Sequence, residues 1–224
     1  MSLRIATFNI QHGRGPDGVA DAGRLANALV LLDADVLGLQ EVDVGVAASQ
    51  GLDQVRLAAD ATGLAAAFGP VARVGWRGRY GNALLARGAI DDVEELGLPA
   101  SARRDRRAAL LARVVAAGRT LSVATTHLSV RYEDARPQLE AVLTALAARP
   151  APRLLLADCN MAPAAVTPLA EQAGMTVAIG SPTFPAAAPR VQIDHVAAAG
   201  LAFESVSVPT SAVSDHRPLV VTVA

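Results

Sequence analysis

Polar side chains follow a short apolar stretch in the second half of the chain. Asp158 and Asn160 come directly after Leu154, Leu155 and Leu156, a run that predicts a buried strand. A carboxylate and a carboxamide at the end of a buried strand need partners, because burial removes the water that would otherwise hydrogen-bond to them. A metal ion or a reacting water could be that partner, and so could a helix N-terminus, for which Asp and Asn are ordinary caps. A catalytic or metal-binding role for Asp158 and Asn160 can therefore be inferred only together with other residues.

Two further polar residues lie at predicted strand ends in the first fifth of the chain. Asn9 lies near the end of the β-rich run 4–10, and Glu41 near the end of the apolar run 36–42. Each by itself is weak evidence, because a polar residue at a strand end is usually just solvated. Together a carboxylate and a carboxamide offer hard oxygen ligands of the kind that Mg²⁺ or Mn²⁺ prefers. The pair therefore indicates a site for such an ion.

Three of the four histidines lie in polar clusters: His127 follows Thr126, His195 follows Asp194, and His216 follows Asp215. A carboxylate beside an imidazole fixes its tautomer and stabilises its charged form, as general acid–base catalysis or stabilisation of phosphate charge requires. The sequence has no His-x-x-x-His or Cys-x-x-Cys spacing for zinc and no Gly-x-Ser-x-Gly motif. Zinc chemistry and serine-based hydrolysis are therefore disfavoured.

Composition limits the class of protein further. The 224 residues are 52% hydrophobic and 18% charged, which predicts one globular domain over residues 1–224. Cys159 is the only cysteine, so no internal disulfide can form. Every apolar stretch is too short to cross a membrane, and no signal peptide is visible. We expect a cytoplasmic protein with no transmembrane segment, and the sequence indicates no obligate protein partner.

The basic residues are distributed unevenly. All 20 are Arg, against 21 acidic residues, so a globally basic surface is absent. Eight of the 20 lie within residues 73–107 and could form a local patch for an anion. Within that region we expect Arg79, Arg106 and Arg107 to bind substrate. A composition in which Arg replaces Lys throughout the chain explains the clustering equally well.

The elements that must position these side chains are predicted from the apolar pattern. Helices are expected from residue 21 and over residues 54–67 and 133–148, with a short one after residue 163. A hairpin closing around Gly118 and several other strands accompany them. Because hairpins alternate with β-α-β units, a single purely parallel sheet does not agree with the order of the predicted elements. Two packed mixed sheets with helices outside fit the pattern better.

Taken together, these residues resemble the motifs of the endonuclease/exonuclease/phosphatase superfamily, which has the deoxyribonuclease I-like fold. The resemblance runs from residue 4 to 220. It rests on seven motifs in the family's order, namely Thr7-Phe8-Asn9-Ile10-Gln11-His12-Gly13, Leu39-Gln40-Glu41-Val42, Tyr80-Gly81-Asn82-Ala83-Leu84-Leu85, Thr126-His127-Leu128, Asp158-Cys159-Asn160, Ile193-Asp194-His195-Val196 and Ser214-Asp215-His216-Arg217-Pro218.

The resemblance implies an α/β fold, a four-layer sandwich, and metal-dependent cleavage of phosphate esters. By motif position Glu41 would be the principal Mg²⁺ ligand, with Asn9 and Asp215 completing the metal's surroundings. Asp158 and Asn160 would position or deprotonate the attacking water. His127, and His216 oriented by Asp194, would contact the scissile phosphate. Either Asp158 or the Asp194–His216 pair would accept the proton of the water.

Two departures from the family pattern matter. Residues 157–160 read Ala-Asp-Cys-Asn where the family commonly has Gly-Asp-Phe-Asn, which keeps both functional side chains. In deoxyribonuclease-type members a Glu near the position of Tyr80 orients the first histidine, and residues 79–82 contain no carboxylate. The support of His127 must therefore differ.

We expect a Mg²⁺-dependent phosphoric ester hydrolase, above all a phosphodiesterase or nuclease, with Mn²⁺ as an alternative metal. The low aromatic content of 3% argues against an extended nucleic-acid surface, but a small nuclease that holds phosphates with arginines remains open. The alternatives are a lipid or small-molecule phosphodiesterase or phosphatase, resembling the sphingomyelinases or inositol phosphatases, and an inactive binding module. The inactive module is disfavoured because Glu41, Asp158 and His216 are all present.

Overall fold

A computed structural model of the chain describes residues 2–101 and 106–224. Within these ranges the chain forms four α-helices and twelve strands. The helices are α1 (Ala22–Leu32), α2 (Gln54–Thr62), α3 (Tyr132–Ala147) and α4 (Pro163–Gln172). The strands are β1 (Leu3–Asn9), β2 (Val36–Val44), β3 (Ala65–Val74), β4 (Gly78–Ala86), β5 (Ile90–Gly97), β6 (Ala108–Ala116), β7 (Arg119–His127), β8 (Arg153–Asp158), β9 (Thr176–Val177), β10 (Asp194–Ala199), β11 (Phe203–Ser207) and β12 (Leu219–Val223).

The described strands form two mixed sheets of six strands each. Their orders are β11-β12-β1-β2-β4-β3 and β5-β6-β7-β8-β10-β9. In each sheet two neighbouring strands run parallel around a helical crossover, β1 with β2 through α1, and β7 with β8 through α3. The other pairings are antiparallel.

Three apolar clusters hold the layers together. The central cluster lies between the sheets and includes Ile5, Leu84, Leu110 and Leu156. The other two pack the outer faces of the sheets against α1 and α2 on one side and against α3 and α4 on the other. Burial of these aliphatic side chains, at roughly 1.5–3 kcal/mol each, is the main force favouring the arrangement. The result is the four-layer α/β sandwich that the resemblance implies, so that prediction is confirmed.

The sheets approach each other closely beneath the strand ends. A Cβ atom added to Gly38 on β2 would lie 2.7 Å from the Cβ atom of Leu156 on β8, so any larger residue would push the sheets apart. Beside this contact the buried Gln40 amide donates to the hydroxyls of Thr7, at 3.1 Å, and Thr125, at 3.0 Å. A satisfied polar bridge of this kind sets how the two sheets are aligned just below the polar strand ends.

Most elements agree with the sequence pattern, and three do not. The helix predicted over residues 54–67 ends at Thr62, because Gly63 adopts a left-handed φ of 70° and the following residues form the edge strand β3. The pattern also missed the two-residue strand β9 and β5, an edge strand whose side chains are mostly exposed, half of them acidic. None of these edge strands has the buried alternation on which recognition depends. Among the described helices, none is both long and apolar enough to cross a membrane.

Candidate active site

Strand pairing brings the polar strand ends together. On the second sheet His127, Asp158 and Asp194 are paired in register on neighbouring strands β7, β8 and β10, so they form one row across the sheet. On the first sheet Asn9 pairs with Gln40, and Glu41 follows directly. Residues paired across strands project from the same face of a sheet. The two rows therefore meet at one edge of the sandwich.

The segment before β12 closes the site. The Ser214 hydroxyl donates to the carbonyl oxygen of Asn9 at 2.7 Å, and the Asp215 N–H donates to Oε1 of Gln11 at 3.1 Å. The His216 N–H in turn donates to the Ser214 hydroxyl at 3.0 Å. These bonds tie residues 214–216 to the end of β1, so Asp215 and His216 face the two rows.

Asn9 joins two carboxylates. Its Nδ2 atom donates to Oδ2 of Asp158 at 2.9 Å and to Oε1 of Glu41 at 3.2 Å. Its Oδ1 atom accepts from the Gln11 N–H at 3.0 Å. Because ionised carboxylates only accept hydrogen bonds, this network fixes which end of the amide faces them. Asn9 therefore presents its nitrogen, and its oxygen is already engaged by the backbone.

Asp158 is the centre of the cluster. Besides the bond from Asn9, its Oδ2 atom lies 3.3 Å from Nε2 of His127 and 3.8 Å from Nε2 of His216, and its Oδ1 atom accepts from the Asn160 N–H at 3.0 Å. Burial opposes ionisation, but the two histidines and the hydrogen bonds outweigh it and lower the pKa of Asp158. Asp158 is therefore a buried, ionised acceptor.

His216 forms a close pair with Asp194, as the resemblance implies. Nδ1 of His216 lies 2.9 Å from Oδ2 of the fully buried Asp194. Burial would lower the pKa of His216, but the charge and hydrogen bond of Asp194, with the charge of Asp158, raise it to about 9. Burial raises the pKa of Asp194 to about 6. At neutral pH the pair is thus an imidazolium and a carboxylate, with Nε2 of His216 facing Oδ2 of Asp158.

His127 has different surroundings and a different charge. Its Nε2 atom lies 3.0 Å from Nδ2 of Asn160, and its Nδ1 atom lies 3.4 Å from the hydroxyl of Tyr80 and 3.7 Å from Oε1 of Glu41. Burial lowers the pKa of His127, more than the charge of Asp158 raises it. The neutral ring carries one hydrogen, and its two nitrogens lie between Asn160 and Asp158 on one side and Tyr80 and Glu41 on the other.

His12 also belongs to the site, and the sequence reasoning missed it. Its Nε2 atom lies 3.3 Å from Oε2 of Glu41, and its Nδ1 atom lies 3.0 Å from Oδ1 of the buried Asp43. The contact with Asp43 raises the pKa of His12. Its neighbours in sequence are not acidic, so only its position inside the first family motif could have marked it.

Glu41 and Asp215 offer oxygen atoms to the cleft. Glu41 sits at a bulge of β2 with a left-handed φ of 57°, and its side chain is 21% exposed. The Asp215 side chain is 44% exposed, and burial together with the charge of Glu41 raises its pKa. Two partly exposed carboxylates, close enough for the charge of Glu41 to act on Asp215, form a donor set that fits a hard divalent cation.

A second group of potential ligands fits a metal less well. Asp158, Asp194 and His216 have ligand atoms within 4.8 Å of one another. Nδ1 of His216 is engaged by Asp194, however, and the ring is protonated at neutral pH, so it has no lone pair for a metal. Glu41 and Asp215 are therefore the better candidates, and Asn9 is better placed to hold Glu41 than to coordinate.

The predicted substrate arginines fall into two groups. Arg107 lies near enough to His127 and Tyr80 for its charge to act on both: it adds to the lowering of the pKa of His127 by burial and opposes the rise in the pKa of Tyr80. Arg79 and Arg106 instead line an open groove beside β3, together with Arg73. Arg103 and Arg104 lie outside the described residues. Arg87 belongs to neither group, since its Nε atom is 2.7 Å from Oδ1 of Asp35 at the other end of the sheet.

His195, which follows Asp194 in sequence, does not join the cluster. It is fully buried, and its Nε2 atom is 2.8 Å from the carbonyl oxygen of Met161. Burial lowers its pKa, so the ring is neutral and structural. The other histidines and acids predicted for the site, together with Asn9 and Asn160, are linked by the contacts described above.

Comparison with known proteins gives a consistent result. The model of the Endonuclease/Exonuclease/phosphatase family matches residues 6–216. An endonuclease/exonuclease/phosphatase from Beutenbergia cavernae DSM 12333 has 25% identity and a TM-score of 0.82, over 99% of this chain and 71% of that one. Among proteins with curated functions, none matches the chain significantly.

Two more distant structures share the fold. A humanized D. rerio TDP2 has 20% identity and a TM-score of 0.77, over 100% of this chain and 99% of that one. The mannosyl-6-phosphatase Bt3783 of Bacteroides thetaiotaomicron has 14% identity and a TM-score of 0.80, over 99% of each chain.

Proposed function

Since the chain belongs to the endonuclease/exonuclease/phosphatase family, whose members are phosphoester hydrolases, we propose that it is a divalent-metal-dependent phosphodiesterase. The observation that carries this proposal is the position of Asp158. This ionised carboxylate lies between a neutral His127 and a protonated His216, with Glu41 joined to it through Asn9. The cluster can orient a water while offering hydrogen-bond donors to a phosphate, which is the combination that phosphoester hydrolysis needs.

Asp158 and His216 differ in what they can do with a proton. Asp158 is ionised and can accept a hydrogen bond from an attacking water, with Asn160 holding its second oxygen through the backbone. His216 is already protonated at neutral pH, so it cannot accept the water's proton. Of the two acceptors that the resemblance leaves open, these charges favour Asp158.

His216 acts on the phosphate itself, and His127 lies on the other side of Asp158. The Nε2–H of His216 donates to a non-bridging oxygen and stabilises the negative charge that builds up in the transition state. Asp194 keeps the ring in that orientation through Nδ1. The amide nitrogen of Asn160 donates to the carbonyl oxygen of Leu128 and contacts Nε2 of His127, so Asn160 positions this ring. A positioned charge-stabilising group of this kind typically contributes a factor of about 10²–10³ in rate.

Glu41 and Asp215 would hold the metal. Their partly exposed oxygens face the cleft, and Asn9 and His12 hold Glu41 from two sides. A bound Mg²⁺ or Mn²⁺ would neutralise phosphate charge at this position. A diester is favoured over a monoester because Arg73, Arg79 and Arg106 line a groove beyond the cluster, where a second substituent of the phosphate could bind.

The proposal is tested by hydrolysis assays on protein freed of metal with EDTA and then supplied with Mg²⁺ or Mn²⁺. We expect metal-dependent cleavage of bis-p-nitrophenyl phosphate and of oligonucleotides, and slower cleavage of p-nitrophenyl phosphate. Sphingomyelin and inositol phosphates test the lipid and small-molecule alternatives. Undiminished activity in EDTA would refute the metal requirement, and inactivity on every phosphate ester would refute the function.

A further inference from the structure

The tip of the β3–β4 hairpin carries an aromatic side chain that is almost fully exposed. Trp76 is the single tryptophan of the chain and is 94% exposed. It lies in the three-residue turn 75–77, between the paired residues Val74 and Gly78. A fully exposed tryptophan contributes no packing energy to the fold, because its apolar surface stays in water. Its position therefore calls for a ligand rather than a structural role.

The arginines around Trp76 lack acidic partners among the described residues. Arg73 and Arg79 are paired directly across the hairpin, and like charges in that position destabilise a strand pair. Arg79 stacks on the ring of Phe68 at 5.7 Å, and neither Arg73 nor Arg77 forms an ion pair within residues 2–101 and 106–224. The unfavourable pairing would be relieved by an anion bound between the guanidinium groups.

The same hairpin reaches into the candidate active site. Tyr80 lies on β4, paired with Ala72, and its hydroxyl is 3.4 Å from Nδ1 of His127. The turn is about 10 Å from Tyr80 along the strand, at roughly 3.4 Å per residue. The Arg73–Arg79 pair lies between the two positions. Successive side chains of a strand project to opposite faces, so this pair does not share the face of Tyr80. Arg73 and Arg79 instead line one groove with Arg106, which precedes Arg107, the arginine whose charge acts on Tyr80 and His127. Through that groove the arginines form a path from the tip toward the catalytic cluster.

We propose that Trp76, Arg73, Arg77 and Arg79 form a binding subsite for single-stranded nucleic acid, next to the scissile phosphate. The indole ring stacks on an unpaired base, and the guanidinium groups bind the phosphates between that base and the cleft. Base stacking on an aromatic side chain and phosphate contacts by Arg are the usual components of such sites. The inference rests on the proposed function, since it names the substrate class of the same active site.

A membrane surface fits these observations less well. Insertion into a lipid interface calls for several neighbouring apolar side chains, and this tip offers Trp76 and the less exposed Val74. A single headgroup phosphate also cannot contact all the arginines along the path from the tip toward the catalytic cluster. A chain of phosphates does, because it places a charge at each step.

Intrinsic fluorescence tests binding without any catalysis, because Trp76 is the only tryptophan. Metal-free protein in EDTA is titrated with a short single-stranded oligothymidylate at low salt. We expect quenching by stacking, with an affinity that falls as salt rises and falls about tenfold or more in an Arg73→Gln/Arg77→Gln variant. Arg56→Gln, on the outer face of α2, is the matched control and should bind as the unchanged protein does.

The fluorescence of Trp76 also distinguishes binding of nucleic acid from binding to a membrane surface. Vesicles of phosphatidylserine and phosphatidylcholine should leave the spectrum unchanged. A blue shift with vesicles and no quenching by oligothymidylate would overturn the nucleic-acid assignment in favour of a membrane. No response to either probe would refute a ligand role for Trp76.

Kinetics then connect the subsite to the reaction. Trp76→Ala should lower kcat/KM for an oligonucleotide about tenfold relative to kcat/KM for bis-p-nitrophenyl phosphate, which is too small to reach the tip. Trp76→Phe should restore most of the loss, because it keeps an aromatic face. Leu31→Ala, which removes an exposed apolar side chain on α1, should leave the ratio unchanged. An unchanged ratio in Trp76→Ala would refute the subsite.

The two proposals can fail separately. If bis-p-nitrophenyl phosphate is hydrolysed but oligothymidylate neither quenches Trp76 nor depends on it for cleavage, the subsite is wrong and the phosphodiesterase proposal stands. If quenching occurs but no phosphate ester is hydrolysed, the subsite binds nucleic acid and the proposed catalysis is wrong.

Discussion

The hydroxyl of Tyr80 lies 3.4 Å from Nδ1 of His127, in the region where deoxyribonuclease-type relatives orient this histidine with a glutamate. Burial, with the charge of Glu41, raises the pKa of Tyr80, so the phenol stays neutral. A neutral partner does not favour protonation of His127 as a carboxylate would. A neutral tyrosine beside His127 is therefore consistent with the neutral state of that ring.

Removing this hydroxyl should weaken the positioning of His127. A hydrogen bond of this type is worth about 0.5–1.5 kcal/mol, so Tyr80→Phe should lower kcat for bis-p-nitrophenyl phosphate by about 2–10-fold. Tyr132→Phe removes the hydroxyl of the other tyrosine, at the start of α3, and is the control. Equal kcat values for the two variants would show that Tyr80 does not position His127.

Asp194 and His216 should act as a unit in catalysis. Asp194→Asn and His216→Ala should each lower kcat by about 10²–10³-fold, because the ring loses either its orientation and charge or its donor. The double variant should be scarcely slower than the slower single variant, since groups that act together are strongly non-additive. Kinetics of the three variants decide the question, and fully additive losses would mean that the residues work independently.

The charge of His216 should also affect stability. The pKa of His216 is about 9 in the folded protein and about 6.5 in an unfolded chain, so the folded state binds this proton more tightly. The contribution is complete below pH 6.5 and is lost as the pH rises through about 9. Urea unfolding of metal-free protein should show this decline, and the decline should be smaller in His216→Ala. The same pH dependence in both proteins would contradict the assignment.

Glu41 should be required for metal binding. Mg²⁺ stabilises the folded protein only if it binds that state more tightly, so it should raise the Tm of the unchanged protein. Glu41→Gln keeps the shape of the side chain and removes its charge, and it should abolish most of this rise. Glu95→Gln, an exposed carboxylate on β5, is the matched control. If Mg²⁺ raised the Tm of Glu41→Gln as much as that of the unchanged protein, the metal would bind at other residues.

Burial keeps the pKa of His127 low, and the charge of Arg107 should lower it further. Arg107→Gln should therefore raise that pKa, which NMR titration of the ring protons can follow. The variant should also raise KM for a diester, because it removes a cation near the phosphate position. Arg106→Gln, in the groove beside β3, should change the pKa of His127 less. An equal shift in both variants would contradict a direct effect of Arg107.

The amino-acid sequence determines much of this arrangement locally. The apolar run before Asp158 and the one around Glu41 predict buried strands, and the alternation of hairpins with β-α-β units predicts two mixed sheets. These predictions hold because burial of a whole strand leaves a period in the sequence itself. The polar residue at the end of such a strand is then recognisable without any knowledge of its partners.

What only the tertiary structure decides is which polar groups meet, and by which atoms. Asn9 and Asp158 are 149 positions apart, and only the register of β1 and β8 across the sandwich brings the amide nitrogen to the carboxylate. His12 joins Glu41 and His195 turns away, although their sequence surroundings suggest the opposite. The edge strand β3, which leads into the turn that carries Trp76, was likewise not predicted from the sequence. Side-chain contacts between distant strands depend on how the sheets pack, and that packing leaves no local period in the sequence.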